Sequence, residues 1–214
     1  MNIALTVLYI FAALIVFLLL WVLVIVRTVR RFYKFPIPEF MTPFIDNPLR
    51  RRLQPHDKVV ADLGLQAGMT VLEVGPGAGG YTLAAARRVG PTGKIISGDI
   101  EPKIIERLKV RLQEEHITNV EARVADVFAL PFEDGAFDAI YMVTVIGEIP
   151  TPERAMKEFA RVLKPGGVLG FSELFLDPDY PLSRTIQRWA ESAGFRIQQK
   201  VGGFLSYSLS FARP

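Results

Sequence analysis

The chain has no cysteine and only two histidines in 214 residues. That excludes a disulfide framework, a thiolate nucleophile and any cysteine-based metal site. Charge is missing from residues 1–26, which are rich in Leu, Ile, Val and Phe. As a helix this run would extend roughly 39 Å, longer than the ~30 Å hydrocarbon core of a bilayer. A cleaved leader should begin with positive charge and end at small residues. Here Arg27, Arg30, Arg31 and Lys34 follow the run instead. We expect a retained single-pass anchor over residues 1–26, with the lipid bilayer as partner and the rest of the chain facing the cytoplasm.

The net charge of +3 is unevenly spread. Residues 27–52 carry seven Lys or Arg against Glu39 and Asp46, whereas residues 53–214 hold 18 basic and 20 acidic groups. The basic character therefore sits beside the expected anchor, where it suits an anionic leaflet. The remainder shows no basic surface of the kind nucleic acid requires, so no nucleic-acid partner is expected. Residues 27–53 are basic and aromatic, and Pro36 and Pro38 should stop the preceding helix. They would pack on the domain, lie in the bilayer interface or cover a site as a lid.

From residue 54 onward, strand and helix patterns alternate. Apolar strands are expected at Thr70–Val74, Lys94–Ser97, Val120–Val124, Phe137–Val143 and Val168–Ser172. Helices are expected at 56–65, Tyr81–Val89, after Pro102 and around Met156, Phe159 and Leu163. Such alternation predicts a parallel sheet covered by helices on both faces. Phe195–Val201 and Leu205–Phe211 break the rhythm. Only Gly202, Gly203 and Phe204 separate them, which allows an antiparallel hairpin and nothing else.

The stretch VLEVGPGAGG (71–80) runs from an apolar strand into glycines Gly75, Gly77 and Gly79. These fit two templates, one for dinucleotides and one for S-adenosylmethionine (SAM). Glu73, a carboxylate beside the loop, would repel a pyrophosphate and so favours SAM. With LPFEDGAFDAIY (130–141) and ERAMKEFARVLKPGG (153–167), the chain resembles the class I SAM-dependent methyltransferases over roughly residues 48–214, specifically the small-molecule branch called type 11. The resemblance implies a Rossmann-like α/β fold with a seven-stranded, mostly parallel sheet ending in an antiparallel hairpin. It also implies SAM as cofactor. On that basis Glu73 meets the methionine ammonium, Asp99 takes the ribose hydroxyls, Ile100 packs on adenine, and Asp126 with the Val127 backbone reads the adenine edge.

The resemblance brings no universal catalytic residue, so candidates come from position. Glu148, in VTVIGEIP just past the fourth strand, is the first, as base or substrate orienter; its alternative is a loop acid or helix cap. Tyr81 begins the helix after the glycines and faces either the ligand or the core. Glu173, ending the fifth strand, ranks behind them. His56 and His116 read as ordinary surface residues, and no metal is expected. The acceptor expected for an anchored enzyme is a lipid or hydrophobic small molecule. Two alternatives stand beside it: a soluble small molecule or thiol, and a tethered SAM-binding module without turnover.

Overall fold

The computed structural model describes residues 3–32 and 47–214. The chain divides into two compact units, residues 1–35 and 36–214. The first holds a single helix, α1 (Ile3–Phe32), unbroken over 30 residues and without a charge before Arg27. Among the described residues no helix is long and apolar enough to cross a membrane. The expected transmembrane span is therefore not established by the structure. The interfacial or lid segment expected over 27–53 falls largely on residues 33–46, outside the described ones.

The described residues of the second unit open with two short helices, α2 (Pro48–Leu53) and α3 (His56–Asp62). Asn47 caps α2 by accepting the Arg50 backbone N–H at 3.0 Å, and Pro48 suits the first helical position because no N–H is needed there. There follow β1 (Thr70–Val74), α4 (Gly80–Val89), β2 (Lys94–Asp99), α5 (Pro102–Glu114), β3 (Val120–Val124), β4 (Phe137–Val143), α6 (Pro152–Val162) and β5 (Leu163–Leu174). The chain closes with α7 (Ser183–Ser192), β6 (Arg196–Gly202) and β7 (Ser206–Ala212).

The strands form one seven-stranded sheet in the order β3-β2-β1-β4-β5-β7-β6. β1 to β5 pair in parallel, and β7 runs antiparallel to both β5 and β6. The expected fold class holds. The order reverses between β1 and β4, and in open α/β sheets ligands bind beyond the strand ends at such a switch.

Alternation along β1 divides the core. Leu72 and Val74 join Ile140 and Met142 in a cluster under α6 and α7, where Ala155, Met156, Phe159 and Val162 form the buried stripe of α6. Val71 faces the other way with Ala139, Tyr141 and Val143, against Val59 and Val60 of α3 and Ala84–Ala86 of α4. Both faces are covered, so even Ser208 and Ser210 of β7 are buried. Two details differ from the sequence expectation. β5 begins at Leu163, ahead of the expected Val168, and its pairing with β4 is irregular at Phe137/Ala139. The helix α7, absent from the expected elements, buries Ile186 and Ala190.

Candidate active site

β1 delivers the chain into the glycine loop at the switch point. Gly75, Gly77 and Gly79 all have positive φ, at 71°, 52° and 81°, a region that costs an L side chain strain. Each meets a different surrounding. A Cβ at Gly75 would stand 2.5 Å from Val145 Cγ2, and one at Gly79 would stand 2.7 Å from Leu108 Cδ1. At Gly77 nothing lies within 4 Å. The loop is thus pressed against the segment after β4 and against α5, and open at its centre, beside the first turn of α4.

Glu73 lies beneath this loop and is 2% exposed. Its register partners are Ser97 on β2 and Tyr141 on β4, which places three polar side chains in one row across three parallel strands. Ser97 Oγ donates to Glu73 Oε2 at 2.5 Å, Thr82 Oγ1 of α4 donates to the same oxygen at 2.7 Å, and the Tyr141 hydroxyl donates to Oε1 at 2.7 Å. Burial pushes the Glu73 carboxyl up from its ordinary value, and the three hydroxyls oppose that shift. Both carboxylate oxygens are therefore engaged inside the protein, and Glu73 acts on the loop from below.

Asp99 ends β2, half-buried, with Oδ1 accepting the Glu101 N–H at 2.9 Å. Burial also raises its proton affinity. Ile100 beside it is 59% exposed, an apolar surface next to a carboxylate. Asp126, exposed after β3, accepts the Phe128 N–H at 2.9 Å, and Val127 is half-buried. Strands β1, β2 and β3 are neighbours, so Gly77, Asp99 and Asp126 follow the ends of three adjacent strands. An open glycine cradle, a strand-end acid flanked by an exposed isoleucine, and a second acid after the next strand fit an adenosine-bearing ligand whose far end lies at the glycines.

The other candidates separate. Tyr81 packs edge-on against His56 with ring centroids 4.5 Å apart, and its hydroxyl donates to the Gln54 carbonyl at 3.3 Å. His56, read as an ordinary surface residue, is half-buried instead, and its ring lies where a Cβ on Gly80 would be. Together Tyr81 and His56 bind α4 to the α2–α3 turn. His116 is exposed.

Glu148 lies in the loop after β4, half-buried, its N–H donating to the Val145 carbonyl at 2.9 Å. Its charge acts on Glu173, which ends β5 and is 1% exposed. Glu173 Oε1 has no hydrogen-bond partner among the described residues. Its carboxyl is pushed well above the ordinary glutamate value, first by burial and then by Asp177, with Glu148 and Asp179 adding to the effect and Arg50 opposing it.

Sequence reasoning missed Arg50, Gln54 and Thr144. Arg50 donates through Nη2 to Thr144 Oγ1, and Gln54 Nε2 donates to Ser172 Oγ at 3.1 Å. Thr144 has a φ of 53°, uncommon for a residue with a branched Cβ and a sign of local strain. Helix α2 thus lies over the ends of β4 and β5. The one signal available was Arg50 in a run of three arginines.

Comparison with known proteins agrees with this geometry. A family model described as "Methyltransferase domain" matches residues 72–171. The chain carries a class I SAM-dependent methyltransferase domain. Over 144 residues it is 32% identical to the ubiquinone/menaquinone biosynthesis C-methyltransferase UbiE of Salmonella paratyphi B, a match that covers 67% of this chain and 56% of the relative. The chain thus spans little more than half the length of the curated relatives it matches.

Among solved structures, a SAM-dependent methyltransferase from Aquifex aeolicus superimposes with a TM-score of 0.78 at 24% identity, covering 84% of this chain and all of that one. The cyclase SpnF superimposes with a TM-score of 0.62 at 28% identity, over 70% of this chain and 58% of that one. For the methyltransferase domain of this chain, the cofactor is SAM.

Proposed function

We propose that the protein is a membrane-anchored, cytoplasm-facing enzyme that methylates a lipid or hydrophobic small molecule of quinone, phospholipid or isoprenoid type. The observation that carries the methyl-transfer reading is the open centre of the glycine loop at Gly77, in line with Asp99 and Asp126 at neighbouring strand ends. SAM supplies an electrophilic methyl group on a sulfonium. The chain's residues hold that ligand, align the acceptor and exclude water; such alignment is worth roughly 7–11 kcal/mol.

Two features support a hydrophobic acceptor. Phe175, Tyr180 and Phe204 pack on one another beside the end of β5, edge-on or tilted, with Phe175 and Phe204 centroids 4.7 Å apart. Phe204 itself and the nearby Leu176, Leu182 and Leu205 are all more than half exposed, an apolar rim of the kind that marks a binding surface. The curated relative is named for work on quinones. Anchoring is supported by the charge-free first 26 residues, the exposed Leu8, Phe11, Phe17, Trp21 and Val24 of α1, and the arginines that follow.

The test uses methyl-labelled SAM and full-length protein in vesicles made from a total membrane extract. Label in the organic phase supports the reading, and label only in water overturns the hydrophobic acceptor. Removing residues 1–34 should abolish transfer to acceptor held in vesicles while sparing transfer to acceptor dispersed in detergent. Equal loss in both would point to a folding role for the segment. SAM binding without any transfer would favour a tethered SAM-binding module, a distinction worth making because the similar fold of SpnF belongs to a protein named for a different reaction.

A further inference from the structure

Glu173 stands out as a buried carboxyl whose Oε1 has no hydrogen-bond partner among the described residues. Leaving a buried polar oxygen unpaired costs about 1–3 kcal/mol, and more when the group is charged. Native proteins keep such groups chiefly where they have a task. Glu73, equally buried, shows the contrast: three hydroxyls hold its two oxygens. Glu173 Oε1 has none among the described residues.

Position adds to the argument. β5 neighbours β4, which neighbours the β1 strand that leads into the glycine loop. Glu173 ends β5 in register with Tyr207 of β7, whose hydroxyl is turned away, donating to the Pro181 carbonyl at 2.6 Å. The loop after β5 closes over the loop after β4, since a Cβ on Gly147 would collide with the Asp179 carbonyl. The groups acting on Glu173 come from each neighbouring element: Asp177 and Asp179 from its own loop, Glu148 from the β4 loop and Arg50 from α2. Tyr207 in turn is affected by Glu173.

Resting on the methyltransferase reading above, we propose that Glu173 is the catalytic base, taking through Oε1 the proton that a neutral acceptor must lose as it is methylated. The acceptor is a hydroxyl or carbon acid, as in a hydroquinone, and not a preformed anion. Among the described residues, Glu173, Asp177, Glu148 and Asp179 outnumber the Arg50 guanidinium, a balance that disfavours a phosphate, carboxylate or thiolate. On the acceptor the X–H bond breaks, its electron pair remains on X, and X forms the new bond to the methyl carbon. The pair of the broken S–C bond stays on sulfur, and the proton goes to Glu173. One positive and one negative charge vanish together, which favours the step in a site closed to water. A carboxyl whose proton affinity is raised by burial and by neighbouring carboxylates is a stronger base than an ordinary glutamate, which suits the task.

The experiment compares wild type, Glu173→Gln and Glu173→Asp in full-length protein. The acceptor probe is 1,4-naphthohydroquinone in phosphatidylglycerol vesicles, with dodecanethiol as a control. Glu173→Gln should lower turnover on the hydroquinone by about 10²–10⁴ with unchanged SAM affinity by calorimetry. The acidic limb of its pH–rate profile should disappear, and Glu173→Asp should restore part of the rate. Full turnover with an unchanged pH profile in Glu173→Gln overturns the inference and leaves the methyltransferase reading standing.

A second readout needs no acceptor. Infrared difference spectra of wild type should show a protonated-carboxyl band that titrates above the ordinary glutamate range, shifts when S-adenosylhomocysteine binds, and is missing from Glu173→Gln. If wild type methylates no probe, the proposed function fails for these acceptors and this band decides the inference. Its absence overturns the base assignment.

Discussion

The Tyr141 hydroxyl donates to Glu73 Oε1 at 2.7 Å from the adjacent parallel strand, one register step across the sheet. Together with Ser97 and Thr82 it secures a carboxyl that is cut off from water under the glycine loop. The loop's backbone is therefore tied to the sheet through a polar row inside an otherwise apolar layer. Tyr141→Phe keeps the ring and removes one donor. Leaving the oxygen unsatisfied should cost about 1–3 kcal/mol, seen as a lower midpoint in thermal or denaturant unfolding. SAM affinity should fall only modestly, because the row acts from beneath the site. Wild-type stability in this variant would show that Glu73 finds another partner.

Gly75 lies against the loop after β4, and its φ of 71° compounds the steric problem. Gly75→Ala should weaken SAM binding at least tenfold, as the loop shifts away from Val145. Adding Val145→Ala clears the collision but not the backbone strain, so the double variant should recover affinity in part. Calorimetry of the two single variants and the double decides this. Strict additivity would mean that the contact with Val145 is not what fixes the loop.

The parallel strands are legible in the sequence as alternating apolar runs, and a three-residue gap after Val201 forces the closing hairpin. The glycines, Asp99 and Asp126 stand out because backbone turns and strand-end acids are local signals. The roles of Glu73 and Glu173 are not legible in this way. Glu73 is expected at the ligand, yet its hydrogen bonds depend on Ser97 and Tyr141, distant residues that meet it only through sheet register. Glu173 ranks below Glu148 on sequence because burial and a missing partner have no sequence signature. Arg50 and Gln54 belong to a short helix and its end, whose place over β4 and β5 comes from long-range contacts alone. His56 reads as a surface residue for the same reason, since its neighbour Gly80 lies beyond a strand and two turns.

Asp99 sits at the end of β2 with one oxygen on the Glu101 N–H. A carboxylate there that accepts two ligand hydroxyls contributes about 1.5–3 kcal/mol per charged hydrogen bond. Asp99→Ala should therefore weaken SAM binding by one to several powers of ten without unfolding the domain. Asp99→Asn should fall between the two, retaining an acceptor but losing the charge. Near wild-type affinity for Asp99→Ala would remove this residue from the cofactor site.

The burial of Glu173 also governs stability across pH. Its folded-state proton affinity lies well above the ordinary glutamate value, so the folded protein holds a proton that the unfolded chain has released. Stability then falls with rising pH. The contribution is fully present below the unfolded glutamate range and is lost as pH climbs through the folded value. Glu173→Gln cannot ionise and should escape this loss. Its unfolding midpoint should exceed that of wild type at alkaline pH, by about 2–4 °C for each 1 kcal/mol relieved, and the two should converge toward pH 4. Arg50→Gln should steepen the wild-type decline, because Arg50 is the cation that opposes protonation of Glu173. Melting curves of the three proteins across pH, taken without SAM, provide the check. A constant offset between wild type and Glu173→Gln at every pH would mean that Glu173 does not titrate in the folded protein.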